Sequence, residues 1–525
     1  MMPIRSIVHA TSRRLKNRER GAVLIFAAAL LTVLMAMAGF AIDFGWLYWQ
    51  GINIQHGADA GALGGVVYEP EDGGVGGLAF AAARDVAKKN GYDDLAAGTI
   101  VTPADALSDP TAVANDNQLR VTVTHEVPTF FMKVFGIDSV SITKTAVAEY
   151  VLPLAMGSND PYFGQDPVLG RNPNFWANIH GYFTGRTMGD RFASQCVDGG
   201  STSSCTPNPE ARPTTPAGMN NGIADFTGGY LYGIEVPPGG SDLRVEIFDG
   251  PFTRGGNDYV LVGDNPQGGS QGPTTMFLLY APDPTPLNTS DGNKLLCKVV
   301  MPPRDPYMPT ANSSTTWPEV DTYLQANPYV YNGKTYDELS DLWDSMCGVS
   351  FNEGEGIYPL RVVIADPGAS DDRGLNRFSM RAFTTGTAPR MYGLGDMAIY
   401  ANFAGNQATF NLAEVPEVHR GKDLVIELWD PDSGNNGVRV ELPDGSLPDC
   451  SWTATDGRSG ALAPCDFNFS PGFNNHHMQI RIEIDQSYTC GANCWWTLTV
   501  DYPGGANDTT TWSARVEGNP VKLVE

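Results

Sequence analysis

Residues 21–42, GAVLIFAAALLTVLMAMAGFAI, run for 22 positions without a charged side chain. A helix of about 20 apolar residues covers the hydrocarbon core of a bilayer, which is roughly 30 Å thick. The rival readings are a cleaved signal peptide, whose apolar region has about 7–15 residues, and a buried core helix. The run is long for either, so a retained span is expected. Arg5, Arg13, Arg14, Lys16, Arg18 and Arg20 precede it and Asp43 follows. By the positive-inside rule residues 1–20 then lie in the cytoplasm and the body lies outside. The expectation is a single-pass, signal-anchored protein of the cytoplasmic membrane, amino terminus inside, with the bulk of the chain extracytoplasmic.

Charge separates the two sides of this segment. The chain carries −25 in total, and the basic tip leaves everything after residue 20 at −30. Such a body repels nucleic acid and anionic lipid, and no nucleic-acid partner is expected. With 42% hydrophobic and 18% charged residues the chain is not wholly disordered, and its 59 Gly and 38 Pro point to short strands punctuated by turns. All eight cysteines lie beyond the apolar run, an even number in an exterior setting, which favours disulfides. Of 105 connectivities, sequence neighbours suggest Cys196–Cys205, Cys297–Cys347, Cys450–Cys465 and Cys490–Cys494. Zinc is the competing reading, but there is no C-x-x-C pair and the seven His are scattered.

Past the apolar run, GWLYWQGINIQHGADAGALGGV (45–66) has no proline, so the helix is expected to continue, with Trp46, Tyr48 and Trp49 where an interfacial aromatic belt would lie. Gly51, Gly57, Gly61, Gly64 and Gly65 weaken such a helix by about 1 kcal/mol each, so close packing against a partner must hold it. A second helix is expected at 76–90, ending in Lys88 and Lys89 before Gly91. Alternating apolar and polar residues predict strands at 119–127 and 139–151, joined by a helical turn, PTFFMKVFG (128–136), that Gly136 closes.

The stretch RERGAVLIFAAALLTVLMAMAGFAIDFGWLYWQGINIQHGADAGALGGV (18–66) starts its apolar run at Gly21, places Asp43 and Gly45 as Asp-x-Gly, and centres a GADAGALGG block on Asp59. With VPTFFMKVFGIDSVSITKTAVAEYV (127–151), it resembles the amino-terminal region of TadG-like proteins of the tight-adherence, or Flp pilus, system. The resemblance covers about 150 residues. It implies a pilin-like anchor that takes part in pilus assembly beside other pilin-like or assembly proteins, and it implies no catalysis. Gly21, Asp43, Gly45 and Asp59 are the motif residues it singles out. Two departures matter. The fifth residue after Gly21 is Phe26, where related peptidase-cut pseudopilins carry Glu, so the span is expected to stay joined to its basic tip. No Asp-x-Ser-x-Ser triplet of a von Willebrand type A domain follows.

Beyond residue 151 the sequence repeats. SDLRVEIFDGPF (241–252) parallels KDLVIELWDPDS (422–433), and residues 358–383 parallel 495–516. Alternating strands with Gly, Asp and Asn turns suggest jelly-roll or Greek-key β-sandwiches. The second copy is distantly similar to bacterial pre-peptidase C-terminal sandwich domains. The expected class is α+β: a basic tip (1–20), a transmembrane helix (21–48), a pilin-like α+β region (49–151), a linker (152–171), a first sandwich (172–388) and a second sandwich (389–525). The first sandwich carries an insertion, 283–355, with a helical piece at 336–346.

The chemistry in these domains is sparse. Asp249 and Asp258 in the first copy, and Asp430 and Asp432 in the second, could bind calcium with the oxygens of DPDSGNNG (430–437) or DPGASDDRG (366–374). Such loops are first of all turns, and neither has EF-hand spacing. Trp452 and Trp496 could stack on a glycan, although adjacent Trp495 and Trp496 in one strand must point to opposite faces. Ala41 and Gly45 form one small-xxx-small pair that could mark a helix-packing face. There is no G-x-S-x-G, H-E-x-x-H or G-x-x-x-x-G-K-S/T motif, and no carboxylate pair can be nominated for hydrolysis. The expectation is therefore a non-enzymatic scaffold without cofactor; the alternative is a surface adhesin whose sandwiches bind glycan or calcium.

Overall fold

The computed structural model describes residues 9–69, 74–106, 108–109, 111–113, 118–150, 153–181, 184–193, 196–197, 206–212, 215–216, 228–249, 263–266, 273–283, 286–287, 294–302, 315–366, 374–431, 437–468, 472–517 and 521–524. The chain forms two compact units. One is Met1–Val151 with Asn519–Glu525, and the other is Leu152–Gly518. The α+β class is borne out: one long apolar helix is followed by mostly antiparallel strands in several sheets.

In the first unit, helix α1 runs unbroken from His9 to Gly65, 57 residues or about 85 Å at 1.5 Å per residue. A second helix, Leu78–Lys89, packs on its outer part, and Gly91 follows with φ +97°, the left-handed turn that glycine adopts without penalty. Strands β1 (Thr99–Ala104), β2 (Gln118–Pro128) and β3 (Ser139–Tyr150) pair antiparallel in that order. Leu119, Val121, Val123 and Val127 of β2 alternate into the core, where Ala58 and Ala62 of α1, Val66 of the 3-10 turn just past it, and Ala79, Ala83 and Ala87 of the second helix are also buried. A fourth strand, Val521–Leu523, pairs with the end of β3, Val521 opposite Tyr150. This sheet is thus completed by residues 371 positions downstream of its third strand.

The second unit is β-rich. A 12-stranded sheet faces smaller sheets of seven and four strands across one hydrophobic core that includes Phe175, Tyr232, Phe378, Ile399, Ile426, Ile480 and Trp512. The repeated segments take corresponding places. Gly240–Asp249 pairs with Gly374–Gly386, and Asp423–Trp429 pairs with Ala506–Val516, all within the large sheet. The strands Gly356–Asp366 and Trp495–Asp501 lie in the seven- and four-stranded sheets respectively. Strand Phe175–His180 joins the two halves: Ala177 lies opposite Phe378 on one side and Ile399 on the other.

In the insertion, the expected helix at 336–346 is instead a short strand, Lys334–Tyr336, a 3-10 turn, Leu339–Leu342, and a strand, Trp343–Ser345, that pairs with Gly240–Asp249. The helix lies earlier, at Trp317–Ala326. A capping box of Thr316 and Glu319 and a proline in the first turn start it, and it buries Val320 and Leu324 against the aromatic cluster of Trp176, Phe248 and Trp343.

Candidate functional site

Helix α1 is the one described helix long and apolar enough to cross a membrane. Along 23–38 its side chains are largely exposed, among them Val23, Leu24, Phe26, Leu30, Leu34 and Met37. Burial begins at Gly39 and Asp43. Asp43 is fully buried, and its carboxylate accepts three backbone hydrogen bonds from the β2–β3 connection: Phe130 N–H to Oδ1 at 2.9 Å, Phe131 N–H to Oδ2 at 2.9 Å and Met132 N–H to Oδ2 at 2.5 Å. These donors open the 3-10 turn Met132–Phe135, whose first N–H groups have no partner within the turn. Aromatic contacts reinforce the joint. Phe135 stacks on Phe40 with ring centres 5.3 Å apart, and Phe130 meets Trp46 edge-on at 5.4 Å. Gly39 lies so close to Phe131 that an added Cβ would sit 2.9 Å from its ring.

Further out, the glycines of α1 make room for its own unit. A Cβ at Gly57 would meet Tyr92 at 2.3 Å, one at Gly64 would meet Val86 at 2.6 Å, and one at Gly65 would meet Leu119 at 2.5 Å. The close packing expected against a partner is therefore made within this unit at these positions. The small side chains are matched to the second helix and to β2. Gly45 has nothing within 4 Å, and Ala41 is exposed beside it. Asp59 is half-buried and accepts from Gln55 Nε2 at 2.8 Å, while the same amide donates to the Thr145 carbonyl at 2.9 Å. Gly21 lies within α1.

Sequence reasoning missed a buried carboxyl pair behind α1. Burial, together with the neighbouring Asp105, pushes Glu69 up to about 9, so it holds a proton at neutral pH. Asp105 stays ionised, accepting from the Ser108 N–H at 2.6 Å and from the Gly74 N–H. No local motif marks the pair, because its members are 36 residues apart.

In the second unit the remaining candidates fall as follows. Asp249 is buried at the end of its strand. Asp430 is buried at φ +53° and accepts from the Asn475 N–H at 2.8 Å. Asp258, Asp432 and most of both candidate calcium loops lie outside the described residues. Among the described residues no three His, Cys, Asp or Glu side chains converge as metal ligands. Trp496 is buried and donates its indole N–H to the Tyr488 hydroxyl at 3.0 Å, and Trp495 is buried on the opposite face among Leu231, Tyr392 and Leu394. Both faces of that strand are covered, which leaves Trp496 no surface for a sugar. Trp452 is half-buried, packed edge-on against Phe467 and Phe473.

Disulfides join Cys297 to Cys347, Cys450 to Cys465 and Cys490 to Cys494. Cys196 is also disulfide-bonded, and Cys205 lies outside the described residues. On the large sheet, Glu427 lies within reach of His477, Arg191 and Arg515, whose hydrogen bonds hold it well below the usual carboxylate range. The described residues here form a braced ion-pair network.

The first unit is thus an α+β head folded around the outer part of a long apolar helix and keyed to it by Asp43. Comparison with known proteins places its amino-terminal region. Residues 21–72 match the Tad family model, described as Flp pilus-assembly TadE/G-like, and residues 72–148 match the Tad_C model, described as Tad-like Flp pilus-assembly. The resemblance of this region to TadG-like proteins of the Flp pilus system is borne out. No curated protein sequence matches the chain. A solved xanthan lyase from Paenibacillus aligns at 10% identity over 75% of this chain and 34% of its own, so this chain spans about a third of it. With a TM-score of 0.12 that likeness carries no argument.

Proposed function

We propose that the chain is a membrane-anchored, non-enzymatic component of an Flp-type tight-adherence pilus assembly system. In this reading α1 spans the cytoplasmic membrane with its amino terminus inside, and the acidic unit 152–518 lies outside, scaffolding pilus or envelope partners. The observation that carries it is the exposed apolar length of α1 inside a region matched by pilus-assembly families. A helix that leaves this much apolar surface uncovered needs lipid or other helices around it. Its free face at Ala41 and Gly45 suits a neighbouring pilin-like helix.

The test is gene deletion with surface pili counted by electron microscopy. Complementation uses the full chain and a form in which a short Gly/Ser turn replaces residues 152–518, which is geometrically simple because Tyr150 and Val521 are paired neighbours. Pili lost on deletion and restored only by the full chain assign unit 152–518 to assembly. Restoration by the short form assigns the task to the anchored head. Unchanged pili overturn the assembly role.

A further inference from the structure

The β2–β3 connection exposes a dense apolar tip. Phe130 is 54% exposed, Phe131 46%, Val134 81%, Phe135 63% and Ile137 43%. The strands that lead to it are polar outside: Thr122 pairs with Thr145 and Thr124 with Thr143 through exposed hydroxyls. Neither β2 nor β3 exposes a large apolar side chain, so on this hairpin such surface gathers at the tip, which meets α1 between Gly39 and Trp46, where the uncharged run ends. Ile42, Phe44, Tyr48 and Trp49 are exposed on the same stretch of α1.

A second observation is independent of this. Irregular backbone enters hydrocarbon only when its polar groups are satisfied internally. Here the N–H groups of 130, 131 and 132 go to Asp43, that of Thr129 goes to the Asp138 carbonyl at 3.0 Å, and those of Val134, Gly136 and Ile137 go to carbonyls of the turn itself. The Thr129 hydroxyl donates to the Ile137 carbonyl. Lys133, within the turn, and Asp138, just after it, are both exposed and form an ion pair at 4.0 Å, and the long lysine stem lets its charge reach the headgroup level.

We propose that this tip is a second membrane-inserting element, seated in the outer leaflet beside α1, with lipid as its occupant. It fixes the roll of the head about the helix axis, which a single helix would leave free. The inference rests on α1 spanning the membrane. The test uses the full chain in phosphatidylcholine nanodiscs, with an environment-sensitive NBD fluorophore on one introduced cysteine at a time: Val134→Cys at the tip, Val33→Cys on α1, and Leu95→Cys on the head, where Leu95 is 90% exposed. Lipids carrying a doxyl quencher on the acyl chain report contact. The expected result is several-fold stronger quenching at positions 134 and 33 than at 95. Quenching at 33 but not at 134 overturns the inference and leaves the span intact. A blue-shifted, unquenched probe at 134 also overturns it, since protein would then cover the tip. No quenching at 33 overturns the spanning reading itself.

Discussion

A carboxylate at the exit of an apolar helix is costly unless something donates to it, and Asp43 receives three backbone N–H groups. Replacing Asp43 by Ala leaves those partly buried donors without an acceptor, a loss of about 1–3 kcal/mol. Hydrogen exchange of amides 130–132 should accelerate roughly tenfold or more, read by mass spectrometry on the full chain in nanodiscs. The sequence marks Asp43 by its place after the apolar run, but its partners lie 87 to 89 residues away, so its role as a clamp is legible only in the fold. Glu69 makes a second prediction. Its ordinary value is 4.5 and its folded value about 9, so its contribution to stability is complete below about pH 4.5 and is lost as pH rises through 9. In Glu69→Gln the melting temperature should lose that part of its decline between those limits, because the amide never ionises. Thermal melts across this range, on both chains, check it.

Elements in this protein are held by fit more than by propensity. Ala should improve helix propensity at either Gly65 or Gly45 by about 1 kcal/mol, yet only Gly65 faces Leu119, the Ala79 carbonyl and Ala83 at under 3 Å. Gly65→Ala should destabilise the first unit by about 1–3 kcal/mol through overpacking, whereas Gly45→Ala should leave it unchanged or slightly more stable. Denaturant midpoints of the two variants decide this, and a stable Gly45→Ala chain that fails to restore pili would mark the free face as an assembly contact. The Cys450–Cys465 disulfide closes a 15-residue separation between two buried sulfurs, and removing both cysteines should cost about 3 kcal/mol. Elements with a clean local period were readable: β2 and β3 fall within a residue of expectation, as their alternation reflects one buried face. The helix at Trp317–Ala326 was missed although Thr316, Pro318 and Glu319 signal its start, and the acidic, aromatic run at 336–346 imitates a helix while its aromatics serve strand and cluster.

At the scale of the whole molecule, the repeat was visible in sequence and the shared sheet was not. Matching strands advertise themselves by matching residues, but Phe175–His180, which joins the halves, has no counterpart motif and is buried on both faces, so it shows no alternation. The fourth strand of the first unit was hidden for another reason: three residues, Val521–Leu523, are too short to carry a period. Removing residues 519–525 should expose the edge of β3 and raise hydrogen exchange at residues 147–150, with little change in β1. This short strand also makes unit 152–518 an insertion tethered at both ends to adjoining strands of one sheet. Under a pull on that unit, one tether is held by three ladder positions and the other, β3, by eleven with β2. The grip of three positions should release before the grip of eleven, a small first event ahead of the loss of β3 that single-molecule pulling on the full chain would resolve, so tension would reach the anchor in two stages.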